Sequence, residues 1–119
     1  LATADIVSLH APLTAETEKF IDPRKMKRGA IFINTARGGL IDQALLTQCL
    51  REGHLAAAGL DVFAQEPVAP DTPLLALPNV VCAPHVAWLT RETWSRSLEV
   101  AAANVHALNA GGSLRYQVV

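Results

Sequence analysis

Three charged residues, Arg37, Glu66 and His85, each follow an apolar stretch that predicts a buried β-strand. In a parallel α/β sheet the carboxyl ends of the strands form one rim, and ligands bind in the crevice outside that rim. We therefore expect the guanidinium, the carboxylate and the imidazole to lie in one crevice. Together these groups suit chemistry on a small carboxylic acid.

Each of the three residues also has a simpler interpretation. Arg37 could be a solvated or salt-bridged surface residue in the loop after its strand. Glu66 stands before a proline and could be an ordinary loop acid, and His85 a hydrogen-bonded histidine at the rim. The pattern alone leaves both interpretations open.

Four predicted strands position these residues: Asp5–Leu9, Ala30–Asn34, Ala57–Phe63 and Asn79–Ala83. The strands are continuously apolar rather than alternating, which is typical of a parallel sheet covered on both faces. Helical segments lie between them, so the fold class is α/β. Because crossovers between parallel strands are right-handed, we expect a doubly wound sheet or part of one.

Three predicted helices connect or follow the strands. A short helix begins at Asp22, an N-cap acid before a proline, and a second runs from Asp42 to about Gly53. The third spans about Thr90–Asn109, and apolar residues recur along it at intervals of three or four. This spacing predicts a helix packed on a sheet. The residues of the stripe are Trp94, Leu98, Ala101, Val105 and Leu108.

Composition limits the classes of function. The 119 residues are 50% apolar and carry a formal net charge of −1, so neither nucleic acid nor an anionic membrane surface is an expected partner. Cys49 falls on a helix stripe and Cys82 in a strand, which predicts two reduced core thiols and a cytoplasmic protein. The four histidines are dispersed, and no metal site is predicted.

Blocks of sequence in a fixed order carry a family resemblance. They are Ala4–Thr14, Ile33–Gly38, Gly59–Phe63, Glu66-Pro67 and Pro84-His85. In this order and spacing they resemble the cofactor domain of the D-2-hydroxyacid dehydrogenases over nearly the whole chain. The segment His85-Val-Ala-Trp, with Arg91-Glu92 after it, is similar to the glycerate dehydrogenase (hydroxypyruvate reductase) branch.

The resemblance implies an oxidoreductase that transfers a hydride between NAD or NADP and a small 2-keto or 2-hydroxy acid, such as hydroxypyruvate or glyoxylate. It assigns Arg37, Glu66 and His85 as the catalytic residues. The chemistry agrees, because an imidazole donates a proton near neutral pH. A neighbouring carboxylate stabilises its protonated form, and a guanidinium fork matches a substrate carboxylate.

The resemblance also implies cofactor contacts and a homodimeric full-length protein. The implied contact residues are Ala11, Pro12, Thr35, Ala36, Arg37, Asp61 and His85. Asp61 would bind the nicotinamide carboxamide. From its surroundings alone, Asp61 is an acid among apolar residues that needs a partner, either a cofactor amide or backbone donors.

No G-x-G-x-x-G phosphate loop occurs in the chain. We therefore expect residues 1–110 to be the C-terminal half of a Rossmann-like NAD(P)-binding domain and residues 111–119 to be a tail or crossover toward an absent substrate domain. Within that tail, Leu114–Val119 could also be an extra strand. We expect the 119 residues alone to be inactive, since the loop that normally holds the pyrophosphate is missing from them.

Two other functions are alternatives to a 2-keto-acid reductase. A dehydrogenase-like domain can sense dinucleotide or mediate assembly without turnover, and the complete set of arginine, glutamate and histidine favours an enzyme instead. Formate dehydrogenase is a relative that pairs its histidine with an amide. Glu66 is an acid here, which favours a reaction with proton transfer.

Overall fold

The apolar stretches form a four-stranded parallel sheet in the computed structural model, which describes residues 1–118. The strands are β1 (Ile6–Leu9), β2 (Ile31–Asn34), β3 (Ala57–Leu60) and β4 (Val80–Cys82), and they lie side by side in chain order. The last residues of the strands are Cα partners across the whole sheet. All four strands therefore end at one rim, and the predicted parallel α/β sheet is confirmed.

Helix α1 (Gln43–Arg51) covers one face of this sheet. Its N-terminus is capped by Asp42, whose Oδ1 accepts from the backbone N–H groups of Ala44 and Leu45. Its apolar side chains join those of the strands in one buried cluster. The largest fully buried apolar residues of the cluster are Phe32, Leu40, Leu46, Leu55 and Leu74.

Three 3₁₀ turns complete this part of the chain: Pro23–Lys25, Gly38–Leu40 and Pro73–Ala76. The helix predicted after Asp22 is therefore only a single 3₁₀ turn. Few residues separate it from Gly29, which has a φ of +81° and donates a hydrogen bond to the carbonyl of His54. This bond directs the chain into β2 before another turn of helix can form.

Within residues 1–86 the two faces of the sheet differ in exposure. Ile6 is 61% exposed and Val81 75% exposed, whereas the opposite face holds the core. Cys49 is buried as predicted, but Cys82 is exposed. Cys82 ends β4, which is an edge strand among the described residues, so no further strand flanks it there.

The third strand is shorter than predicted. It ends at Leu60, and the chain then turns, although the Asp61 backbone N–H still donates to the carbonyl of Asn34 at 3.0 Å. Asp61, Val62 and Phe63 stay buried beyond the end of the strand. Their apolar character reflects burial in a loop rather than a place in the sheet.

Residues from Ala87 onward form a separate compact unit. It contains α2 (Arg91–Asn109), capped by Thr90, and this helix matches its predicted limits. No residue of α2 is buried, although its apolar stripe predicts a packed face. Trp94, Leu98, Val105 and Leu108 are each more than half exposed.

The tail after α2 is held by one asparagine. Asn104 Nδ2 donates to the carbonyl of Arg115 at 3.1 Å, and its Oδ1 accepts from the Arg115 N–H at 2.8 Å. Residues 114–118 form no strand, so that alternative for the tail is wrong there, and Val119 lies outside the described residues. No helix among residues 1–118 is long and apolar enough to cross a membrane.

Candidate active site

The loop that carries Arg37 is held by a buried amide. Asn34, the last residue of β2, is 1% exposed. Its Nδ2 donates to the carbonyl of Arg37 at 2.9 Å, and its Oδ1 accepts from the N–H of Ala36 at 3.0 Å. The Arg37 guanidinium donates through Nη1 to the carbonyl of Ala36 at 2.6 Å. The loop and its exposed cation therefore have a defined conformation.

Glu66 and His85 form a direct pair. Glu66 Oε2 lies 2.8 Å from His85 Nδ1, and Glu66 Oε1 accepts from the backbone N–H of Phe63 at 2.9 Å. The hydrogen bond from His85 is the main cause that lowers the pKa of Glu66 below its ordinary value. The N–H of Phe63 and the positive charges of His85 and Arg37 act in the same direction. Glu66 is thus held as a carboxylate beside the imidazole.

The backbone of His85 has an unusual conformation. Its φ is +57°, in the left-handed region that side chains with a Cβ rarely adopt. The next residue, Val86, donates its N–H to Oδ1 of Asp61 at 2.8 Å, and Asp61 is only 4% exposed. Asp61 therefore has a backbone donor as a partner. This bond fixes the chain on one side of His85.

Two cavities lie at the rim. One, of about 520 Å³, is lined by Glu66 and His85 together with Phe63, Pro67, Val68 and Pro84. The other, of about 640 Å³, is lined by His10, Ala11, Pro12, Leu13, Thr35, Ala36 and Arg37. The expected pairing of Glu66 with His85 is present. Arg37 borders the second cavity rather than the first, although its charge contributes to the lowered pKa of Glu66.

The predicted cofactor contacts do not all border the same cavity. Ala11, Pro12, Thr35, Ala36 and Arg37 all border the larger cavity. The other two differ: His85 borders the smaller cavity, and Asp61 is buried just past the end of β3. Within residues 1–118 no group of three or more His, Cys, Asp or Glu side chains is arranged to hold a metal ion.

Three residues near the site were not identified from the sequence. Asn34 had a signal, since a buried polar residue at the end of an apolar strand requires hydrogen-bond partners. Gly38 is buried against the backbone of Phe63, and Gln43 accepts from the N–H of Ala64 at 3.0 Å. Neither contact has a sequence signal, because each joins segments more than twenty residues apart.

Comparison with known proteins identifies the family. Residues 1–87 match the family described as D-isomer specific 2-hydroxyacid dehydrogenase, NAD binding domain. The chain belongs to this family. The resemblance noted in the sequence and the Rossmann-like α/β fold are both confirmed.

Individual relatives agree with this membership. The chain is 53% identical over 114 residues to a protein named glyoxylate reductase from Korarchaeum cryptofilum (strain OPF8), a match that covers 93% of this chain and 34% of the relative. The structure of TT0316 protein from Thermus thermophilus has a TM-score of 0.92 and 48% identity, covering 100% of this chain and 39% of that one. The structure of D-lactate dehydrogenase with NAD+ from Lactobacillus jensenii has a TM-score of 0.86 and 36% identity, covering 100% and 41%. The chain thus spans about a third of the length of the curated relative it matches.

Proposed function

We propose that this dehydrogenase domain belongs to an oxidoreductase that transfers a hydride between NAD(P)H and a small 2-keto acid, such as glyoxylate or hydroxypyruvate. The observation that carries the proposal is the 2.8 Å contact between His85 Nδ1 and Glu66 Oε2 at the rim of a parallel sheet. Family membership and the similarity to a protein named glyoxylate reductase support it.

In this proposal His85 supplies the proton. Reduction of a keto group places a hydride on the carbonyl carbon and requires a proton for the oxygen. Glu66 bonds to Nδ1, so we assign the transfer to Nε2, the ring nitrogen that Glu66 does not hold. The lowered pKa keeps Glu66 ionised, so its carboxylate can accept the hydrogen bond from Nδ1 and orient the imidazole ring.

Arg37 binds the substrate carboxylate in this proposal. Its planar guanidinium can make two parallel hydrogen bonds to a carboxylate, which a lysine ammonium cannot reproduce. The loop of Arg37 is held by Asn34, and its charge also acts on Glu66. Both observations support a common role for Arg37 and the pair.

The larger cavity fits part of a dinucleotide. Small apolar residues, Ala11, Pro12 and Ala36, line it beside Thr35 and the cation of Arg37, a set that leaves room for a flat ring and offers polar groups to a ribose. When bound, a reduced nicotinamide would supply the hydride. We assign Ala11, Pro12, Thr35, Ala36, Arg37, Asp61 and His85 as its contacts, with Asp61 toward the carboxamide. The bond from Val86 fixes Asp61 for that role.

The proposal includes the context of the whole protein. We infer a homodimer in the cytoplasm, with residues 1–110 as the second half of the NAD(P)-binding domain and residues 111–119 as a link toward the substrate domain. Family membership supports this organisation. Cys49 and Cys82 form no disulfide, which agrees with a reducing compartment. Light scattering of the full-length protein measures the dimer directly.

Steady-state kinetics of the full-length protein test the function. We expect oxidation of NADH or NADPH that depends on glyoxylate or hydroxypyruvate, with saturation in each substrate. Parallel titrations by cofactor fluorescence measure binding separately. Tight cofactor binding without turnover of either acid would instead favour a sensing or assembly module.

A further inference from the structure

We propose that Gly38 and Gln43 are positioning residues that hold the Glu66–His85 pair at a set distance from Arg37. This inference rests on the proposed function, in which Arg37 and the pair act on the same substrate. Neither Gly38 nor Gln43 is proposed to contact the cofactor or the substrate. Both residues contact the loop Phe63–Glu66. Gly38 belongs to the loop that carries Arg37, and Gln43 is the first residue of α1.

Gly38 allows the two loops to touch. It follows Arg37 directly and is buried. A Cβ atom built there would lie 2.0 Å from the carbonyl carbon and oxygen of Phe63 and 2.5 Å from the nitrogen of Ala64. These are backbone atoms, so a side chain cannot be accommodated by a rotamer change. Any larger residue must push the two loops apart.

Gln43 holds the same loop by a hydrogen bond. Its Oε1 accepts from the N–H of Ala64 at 3.0 Å. Gln43 is the first residue of α1, where Asp42 caps the helix, and its own carbonyl accepts from Thr47 Oγ1 at 2.7 Å. The acceptor that Gln43 presents to Ala64 is therefore mounted on the fixed end of a helix.

The loop held in this way carries the catalytic carboxylate. The N–H of Phe63 donates to Glu66 Oε1, while the carbonyl of the same residue faces Gly38. A displacement of Phe63 at Gly38 would draw its N–H away from Glu66 and disturb the carboxylate that pairs with His85. Arg37 would move in the opposite direction. The contact between Gly38 and Phe63 thus sets both the geometry of the Glu66–His85 pair and the distance of that pair from the Arg37 guanidinium.

The test compares variants of the full-length protein. In Gly38→Ala we expect kcat/KM for glyoxylate to fall by roughly 10²-fold, because misplacement by about 1 Å has this effect on positioned groups. Gln43→Ala should lower it by about 3- to 10-fold, the scale of one hydrogen bond, and Gln43→Glu should restore it by retaining an acceptor. In Gly38→Ala and Gln43→Ala the loss should appear in kcat as well as in KM, because the Glu66–His85 pair and Arg37 are displaced together.

Matched controls separate positioning from general damage. Gly59→Ala adds a Cβ in β3 that would meet only the end of the Ile33 side chain, at 3.0 Å, and that side chain can move. Gln48→Ala removes another glutamine of α1, one that bonds to Glu52. Both should change kcat/KM by less than about threefold.

A second measurement does not depend on turnover. The ¹⁵N resonance of His85 Nδ1 in the full-length protein reports its bond to Glu66, and it should shift in Gly38→Ala and Gln43→Ala but not in the controls. If wild type reduces no 2-keto acid, the proposed function fails, and these resonances still decide the positioning role. If Gly38→Ala does not fold, the Gln43 series decides it. Unchanged resonances and kinetics in the folded variants, or equal losses in the controls, would overturn the inference.

Discussion

The two sides of the sheet's rim hold their charged residues in different ways. At the end of β2, Arg37 is fixed by Asn34, and the bonds involved join residues two or three positions apart. Beyond β3 and β4, Glu66 and His85 are 19 positions apart, and Asp61 and Val86 are 25 apart. The cation depends on a local loop, whereas the acid–base pair depends on the tertiary fold.

This difference allows the two functions to be separated. A change in the β2 loop should alter substrate binding through Arg37 while leaving the Glu66–His85 pair intact. A change in the pair should alter proton transfer while leaving the Arg37 loop intact. Gly38 and Gln43 stand between the two sides, so changes at these residues should affect both.

Removing the imidazole should have the greatest effect. In the full-length protein His85→Ala should lower kcat for keto-acid reduction by a factor on the order of 10² or more, because general acid catalysis contributes on this scale. Cofactor affinity should change little, because the other assigned contacts, most of which line the larger cavity, remain in place. Stopped-flow turnover and fluorescence titration of NADH measure the two quantities. Turnover close to that of wild type would remove His85 from the mechanism.

A smaller effect is expected on the other side of the rim. Asn34→Ala should lower the free energy of unfolding by about 1–3 kcal/mol, because the Ala36 N–H and the Arg37 carbonyl lose a buried partner. It should also raise KM for the keto acid while the pH profile of kcat stays in place. Urea unfolding and steady-state kinetics measure these outcomes.

Asn79→Ala is the matched control for this prediction. The Asn79 amide donates to the carbonyls of Leu50 and Ala56, away from Arg37. The Asn79→Ala variant should lose stability, but its KM for the keto acid should not rise. A rise in KM of the same size in both variants would show that Asn34 acts only through stability.

The strands and two of the helices could be predicted because each depends on residues that are close together in the sequence. Apolar stretches placed four strands, and Asp42 and Thr90 marked the starts of two helices where the structure has them. The ends of elements were less predictable. The run Ala57–Phe63 is largely apolar, yet its last three residues are buried in a turn, and apolar composition does not distinguish the two environments.

The site was predictable only in part for the same reason. Arg37, Glu66 and His85 could be chosen because each follows a strand, but their division between two cavities depends on how the loops bend. The left-handed backbone of His85 has no signal in a sequence, since glycine would be the expected residue there. The exposure of Cys82 and of the α2 stripe depends on what flanks an element, which its own residues do not encode.

Replacing Glu66 by glutamine should have the smallest effect on turnover. Glutamine keeps an acceptor for His85 Nδ1 but loses the charge-assisted hydrogen bond, so kcat for reduction should fall by less than about tenfold. The fall should be this small because the pair is partly solvated and such pairs interact weakly. The side chains of His85 and Glu66 are 41% and 37% exposed. Asn34→Ala should leave kcat nearly unchanged.

The Glu66 carboxylate gives a second test, through stability. The folded-state pKa of Glu66 lies below its ordinary value of 4.5, so the ionised carboxylate stabilises the fold above about pH 4.5. This contribution should be lost as pH falls through the lower folded-state value. The difference in Tm between wild type and Glu66→Gln should therefore be present at about pH 5–6 and shrink below about pH 4. If that difference is independent of pH while kcat also stays unchanged, Glu66 is not the partner of His85. Glu66 and His85 would then not act as an acid–base pair at the rim, even though the family assignment stands.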